Sequence, residues 1–282
     1  MLNRAMSKRK PNPKSRFRSK SDDGHARRGG GRATWIYGRH AVLAALKNPN
    51  RSFSRIVTTP GQAEEIAAVL RSTEGSENWP KPEIQDRRDI EGLLPRDAVH
   101  QGMAILVEPL PQVALEDVCD EAEATGNALV LVLDQATDPH NIGAILRSAA
   151  AFGAQAVVVQ DRHAPEATGA LAKAASGALE IVPLVVATNV SRALDKLKES
   201  GFWCLGLDGA TDKDIGEADL TGRIALVLGA EGAGLRRLVK DHCDLLVRIP
   251  IQSAMESLNL SNAAAVALYE AARHRAAPGK DG

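Results

Sequence analysis

Nowhere does the chain carry an apolar run near the ~18 residues that a membrane-spanning helix needs, and its polar N-terminus lacks the apolar core of a secretory signal. Both absences point to a cytosolic protein that does not enter a membrane. Cysteine is scarce: Cys119, Cys204 and Cys243 are scattered, with no CxxC pair and no histidine at finger-like spacing. A disulfide framework and a zinc site are therefore both unsupported, and the thiols are expected to be reduced and mostly buried. Internal repeats are missing as well. So is net charge, since 35 Lys and Arg face 35 Asp and Glu.

That zero hides an asymmetry. Residues 1–33 hold eleven Lys and Arg against two acidic residues, which leaves 24 basic and 33 acidic from the totals of 35 each. The first part carries +9 and the remainder −9. Stretches such as "SKRKPNPKSRFRSK" have too little apolar content to offset ordering entropy, so 1–33 is expected to be a disordered basic tail. Such arms bind phosphate backbones by releasing counterions, and a solubilising tail is the alternative. An Arg- and Ser-rich transit peptide is a further reading, against which Pro11, Pro13 and the glycines argue.

What is present is a chain of 282 residues, 44% hydrophobic and 25% charged, long enough for two domains with real cores. From "WIYGRHAVLAAL" onward, residues 34–110 alternate short apolar strands, "RIVTT" and "AILVE", with helical stretches, "GRHAVLAALKN" and "AEEIAAVLRS". This reads as a small α/β domain. Residues 111–127 are Pro-interrupted and acidic, as expected of an exposed linker leading into a short helix. Residues 128–275 repeat a strand-and-helix pattern, with strands expected at 129–133, 156–160, 181–185, 202–207, 224–229 and 245–250. Helices are expected near 142–152, 166–175, 190–199, 233–240 and 258–273. The strands lack polar alternation, as in a parallel sheet covered on both faces, so ligand chemistry belongs at their carboxyl ends. Residues 276–282 read as a flexible end.

Three strand ends carry unusual residues. In "DQATDPHNIGAILRSAAAFGA", Asn141 is placed to cap the following helix, whose buried stripe would be Ile142, Ile145, Leu146, Ala149 and Phe152. Arg147 falls off that stripe. Its neighbours one turn away, Gly143, Ala144, Ala150 and Ala151, are all small and would leave the guanidinium in an open groove. In "LVLGAEGAGLRRL", Gly229, Gly232 and Gly234 allow positive φ and close backbone approach to a ligand. Their spacing departs from GxGxxG, and Glu231 inside the turn would repel a pyrophosphate, so a nicotinamide-binding Rossmann site is disfavoured. In "RIPIQSAMESLNLSNAAAVALYEAARHR", Ser257, Asn259, Ser261 and Asn262 offer four caps where a helix needs one. Behind them, Ala263, Ala264, Ala265 and Ala267 permit close helix packing against the sheet or a second subunit.

Together, "DPHNIGAILRSA", "LVLGAEGAGL" and "IPIQSAMESLNLSNAAA" resemble the signature motifs of the SpoU/TrmH family of knotted (SPOUT) RNA ribose 2′-O-methyltransferases. The resemblance covers about 128–275. The preceding "YGRHAVLAAL" domain looks like the small RNA-binding domain that many bacterial members place before the catalytic one. The arrangement is most similar to enzymes that methylate a guanosine ribose in 23S ribosomal RNA. Two departures, the variable segment 251–256 and Leu260 where Val is common, bear on target choice rather than chemistry.

The resemblance implies an α/β fold with a C-terminal trefoil knot, a homodimer with the active site near its interface, and S-adenosylmethionine as cofactor. Gly229, Ile249 and Leu258 match its cofactor-contact positions, and Asn141, Arg147, Glu231, Ser257 and Asn259 match its catalytic and structural ones. Arg147 would grip the target phosphate and ribose. The family's mechanism has it assist hydroxyl deprotonation, but a free guanidinium is a poor base, so its role is activation and positioning, with the final proton acceptor left open. Asn141 would orient Arg147 or the ribose, Glu231 would hold the arginine or substrate, and Ser257 with Asn259 would shape the pocket. Methyl transfer of this kind requires no metal. A tRNA ribose is the rival target, and a catalytically silent knotted RNA-binding protein is the rival class.

Overall fold

The computed structural model describes residues 33–161, 169–252, 255 and 257–276. The basic tail, except for Ala33, lies outside the described residues, as do 166–168 of one expected helix and the C-terminal 277–282. The described chain contains two sheets within one compact unit.

The smaller sheet is built from β1 (Thr34–Tyr37), β2 (Phe53–Thr58), β3 (Glu83–Ile84) and β4 (Met103–Val107), in the order β1-β4-β2-β3. β4 runs antiparallel to both β1 and β2, and β3 runs parallel to β2. Gly38 separates β1 from helix α1 (Arg39–Ala45). Its φ of 91° turns the chain sharply while its N–H still bonds Met103 O at 3.2 Å, beyond the β1–β4 ladder. Helices α2 (Ala63–Ser72) and α3 (Arg87–Leu93) complete this part. The acidic stretch that follows contains α4 (Leu115–Thr125), whose Leu115, Val118, Cys119 and Ala122 are buried.

The larger sheet comprises β5 (Ala128–Leu133), β6 (Ala156–Gln160), β7 (Leu184–Ala187), β8 (Trp203–Leu207), β9 (Arg223–Leu228) and β10 (Leu245–Val247). Their order is β10-β8-β9-β5-β6-β7, and every pairing is parallel. All six residues of β5 are buried, which explains a run without polar alternation. Between the strands lie α5 (Pro139–Ala151), α6 (Gly169–Ala175), α7 (Val190–Glu199) and α8 (Arg237–His242), and α9 (Leu260–Ala276) closes the described chain.

Of the boundaries that depart from the sequence expectation, three have a direct physical reason. The strand expected at 181–185 begins only at Leu184, because residues 178–180 form a 3-10 turn, Ile181 is exposed and Pro183 lacks an N–H. The helix expected at 233–240 starts at Arg237, since Gly232 and Gly234 have φ of 76° and 65° and belong to a turn closed by an Ala230–Gly234 bridge. β10 stops at Val247 because the chain then pairs with a loop instead, Arg248 N–H to Lys213 O at 2.9 Å and Ile215 N–H to Arg248 O at 2.8 Å.

A continuous core joins the two sheets, running from Ile36, Leu46, Ile56 and Ile105 to Leu129, Leu131, Ile145 and Leu226. The chain leaves β5 toward β6 and β7 on one side, while β9, β8 and β10 lie on the other. The order therefore reverses between β5 and β9, where open α/β sheets form a crevice beyond the strand ends.

Candidate active site

The loops after β5 and β9 meet the start of α9 at that crevice. The turn from β5 into α5 is capped by Asp138, whose Oδ1 accepts the His140 N–H at 2.9 Å, with Pro139 as the first helical residue. Asp138, rather than the expected Asn141, is thus the cap. Asn141 lies in the first turn of α5, and its amide is free to point elsewhere.

It points at Glu231. Asn141 Nδ2 donates to Glu231 Oε1 at 3.1 Å, Asn259 Nδ2 donates to the same oxygen at 2.5 Å, and Leu260 N–H reaches it at 3.0 Å. Asn259 Nδ2 also lies 3.1 Å from Asn141 Oδ1. One carboxylate oxygen thus ties together the loops of all three sequence segments. It sits where the N-terminal dipole of α9 favours negative charge. Of the four expected caps, Asn259 takes the role: its Oδ1 accepts from Ser261 N–H at 2.9 Å, Ser261 Oγ at 2.6 Å and Asn262 N–H at 3.3 Å. Ser257 is exposed and has no hydrogen bond among the described residues.

Arg147 stands six residues further along α5, about 9 Å of helix rise beyond Asn141. It is exposed and makes no hydrogen bond or ion pair among the described residues. Ile142, Ile145, Leu146 and Ala149 form the buried stripe as expected, and Phe152 is half-buried. One small neighbour has a different cause from the one its position suggested. A Cβ at Gly143 would fall 2.4 Å from Ala174 Cβ and 2.8 Å from Ala175 N, so this glycine lets α6 press against α5 and clears no space for a ligand.

Gly229 is equally constrained. A Cβ there would meet Gly234 C at 2.0 Å and Leu235 N at 2.2 Å. The turn 230–234 folds directly back over it, while a Cβ on Gly232 or Gly234 would meet nothing within 4 Å.

A second tie was not singled out from sequence. Asp134, immediately after β5, is fully buried, and its carboxylate receives Arg236 Nε at 2.9 Å, Arg236 Nη2 at 2.6 Å and Arg236 N–H at 3.1 Å. Arg236 Nη2 also reaches Gln160 Oε1 at 3.2 Å. An acid directly after a wholly apolar strand is the available signal, because a buried carboxylate demands a charged or hydrogen-bonding partner. Beyond the crevice, the Lys240 ammonium holds the Asp208 carboxyl below its usual range, and burial pushes the Cys243 thiol up to about 12. A cavity of about 420 Å³ lined by Trp203, Asp219, Ile224 and Leu245 lies at the opposite ends of the strands and takes no part in this arrangement.

Residues 128–269 match the SpoU rRNA Methylase family, and residues 35–113 match the RNA 2′-O ribose methyltransferase substrate-binding family. The chain is 39% identical over 243 residues to the 23S rRNA (guanosine-2′-O-)-methyltransferase RlmB of Pseudomonas putida, covering 85% of this chain and 96% of that protein. This chain belongs to the SpoU methylase family. The RlmB of Escherichia coli K12 is 37% identical over 245 residues, covering 85% of this chain and 98% of that one. Among solved structures, the SpoU methyltransferase AviRb of Streptomyces viridochromogenes in complex with AdoMet superposes with a TM-score of 0.71 at 26% identity, over 88% of this chain and 92% of that one.

SpoU methyltransferases use S-adenosylmethionine, and the crevice is suited to it. The open space over Gly232 and Gly234 exposes the backbone of the turn, and Ile249 and Leu258 are half-buried apolar residues. Among the described residues no cluster of three or more His, Cys, Asp or Glu could hold a metal ion, and no helix is long and apolar enough to cross a membrane.

Proposed function

We propose that this SpoU protein transfers a methyl group from S-adenosylmethionine to the ribose 2′-oxygen of a guanosine in 23S ribosomal RNA. The observation that carries this reading is the convergence of Asn141, Asn259 and the Leu260 N–H on one carboxylate oxygen of Glu231 at the β5/β9 crevice. It occurs in a chain that spans nearly the full length of relatives named for that reaction.

When bound, the cofactor supplies an electrophilic methyl carbon on a positively charged sulfur. Gly229, Ile249 and Leu258 would hold its adenosine, with the turn 230–234 lending backbone groups. The chain's own residues supply position and electrostatics. Arg147, exposed and unpaired among the described residues, would donate its guanidinium N–H groups to the target phosphate and ribose. Its cationic guanidinium stabilises the negative charge that develops on the 2′-oxygen as the hydroxyl proton departs. Asn141, Glu231 and Asn259 would fix the three loops so that the hydroxyl lies in line with the methyl carbon. Ser257, exposed beside them, would border the substrate side.

In the same reading, residues 34–110 bind RNA, 111–127 connect, and 128–275 form the knotted catalytic domain, with the basic tail 1–33 adding phosphate contacts in the cytoplasm. A homodimer through α9 is supported by Val266 and Tyr269, which are 42% and 56% exposed on a helix otherwise packed on α5. Tyr269 meets Phe152 edge-on at 5.9 Å. The test is incubation of purified protein with methyl-labelled S-adenosylmethionine and, in parallel, 23S ribosomal RNA or tRNA, followed by nucleoside analysis. Label in 2′-O-methylguanosine is expected. Label in a methylated base, or in tRNA alone, would overturn the proposal.

A further inference from the structure

Among the described residues, the ion pair with both side chains most deeply buried lies away from the crevice, between the two sheet regions. Arg51 and Glu180 have side chains only 4% and 5% exposed. Arg51 Nε lies 3.0 Å from Glu180 Oε2 and Arg51 Nη2 lies 2.8 Å from Oε1, a bidentate pairing. Asn48 Nδ2 donates to Oε2 at 2.6 Å, and Arg51 Nη1 donates to Glu108 O at 3.0 Å, just past the end of β4. Asn48 and Arg51 follow α1 in the substrate-binding part, while Glu180 follows α6 in the methylase part.

The elements around this pair fit closely. Gly177, at φ 92°, brings its backbone so near α1 that a Cβ would sit 2.5 Å from Ala44 Cβ. Lys173 Nζ lies 5.8 Å from the centre of the Tyr37 ring. α6 packs against β1 and α1 on one side and against α5 on the other, where Gly143 admits Ala174. α6 is thus a wedge between the substrate-binding part and the helix bearing Asn141 and Arg147.

We propose that Asn48, Arg51 and Glu180 form a latch that holds the substrate-binding part rigidly on α6, so that this part acts as a ruler setting which ribose reaches Arg147. The inference rests on the proposed RNA methylation and concerns positioning residues, since none of the three lies at the crevice. A buried carboxylate that collects three hydrogen bonds from Arg51 and one from Asn48 has one favoured orientation. Loss of its charge leaves Arg51 buried without a counterion, which the chain relieves most readily by letting the two parts separate.

The test uses the full-length protein, S-adenosylmethionine and 23S ribosomal RNA, with methylated riboses mapped by position. Glu180→Gln should bind S-adenosylmethionine within about twofold of the parent. It should raise KM for RNA roughly tenfold, and spread methylation from one ribose to its neighbours. Arg51→Glu combined with Glu180→Arg should restore single-site methylation at least in part, which a merely structural loss would not permit. Should Glu180→Gln fail to fold, Asn48→Ala, which keeps the ion pair, should show the same spread in weaker form. A folded Glu180→Gln, or failing that Asn48→Ala, that methylates the same single ribose with unchanged KM overturns the latch. A parent protein that leaves RNA unmethylated while binding the cofactor overturns the underlying reading instead.

Discussion

Alanine at Gly229 should damage this protein far more than alanine at Gly232, three residues along the same turn. At Gly229 the added Cβ would lie 2.0 Å from Gly234 C, 2.2 Å from Gly234 O and 2.2 Å from Leu235 N. Carbon atoms in contact prefer about 3.5–4.0 Å. All three obstacles are backbone, so no side chain can rotate away and the turn itself has to move. Overpacking costs typically about 1–3 kcal/mol, and rigid obstacles put this case at about 3 kcal/mol. For a chain of this size that corresponds to a fall in Tm of about 6–12 °C. Gly232→Ala meets nothing within 4 Å, so its cost is the left-handed conformation alone, about 1–2 kcal/mol. Displacing the turn also displaces Glu231, so Gly229→Ala should bind S-adenosylmethionine weakly even where it is folded. Thermal unfolding followed by circular dichroism and cofactor titration by calorimetry measure both effects. Equal Tm values for the two variants, or a Gly229→Ala protein with parental cofactor affinity, would refute the reasoning.

Arg147→Ala should lose at least about 100-fold in kcat, as removal of a single transition-state donor does elsewhere. It should unfold within about 0.5 kcal/mol of the parent, because the side chain is exposed, and Arg147→Lys should recover little. His100 is 1% exposed and burial holds its pKa below the ordinary value of 6.5. The unfolded chain takes up this proton first as pH falls, so stability should be flat above about pH 6.5 and decline below it by at most about 1.4 kcal/mol per pH unit. Urea titrations from pH 7.5 to 5 should show a shallower decline in His100→Gln. Burial raises the thiol pKa of Cys119 and of Cys243, and raises that of Cys204 strongly. Alkylation at pH 7.5 should therefore be slow in the native protein and fast in denaturant, and rapid native labelling would contradict the packing.

Much of this molecule is legible in its sequence where structure is set locally. The apolar runs at 129–133 and 156–160 and the helix at 190–199 fall where expected, because a strand covered on both faces and an amphipathic helix each leave a pattern within a few residues. Legibility fails where a partner is distant. The smallness of Gly143 reads as a groove from sequence, yet it serves α6, thirty residues away. Asn141 resembles a cap until Asp138 is seen in that role. Asn141, Glu231 and Asn259 each stand out in their own segments, but their meeting on a single oxygen depends on the sheet order. The pairs Asp134–Arg236 and Arg51–Glu180 join residues more than a hundred positions apart, and no local period encodes which buried charge finds which.

The measurement closest to the central claim is ribose-methylation mapping of total RNA from cells with the gene, without it, and without it but carrying Arg147→Ala. One guanosine of 23S ribosomal RNA should be methylated in the first and bare in the other two, with tRNA unchanged throughout. A 23S profile identical in all three, or a loss confined to tRNA, would contradict the account.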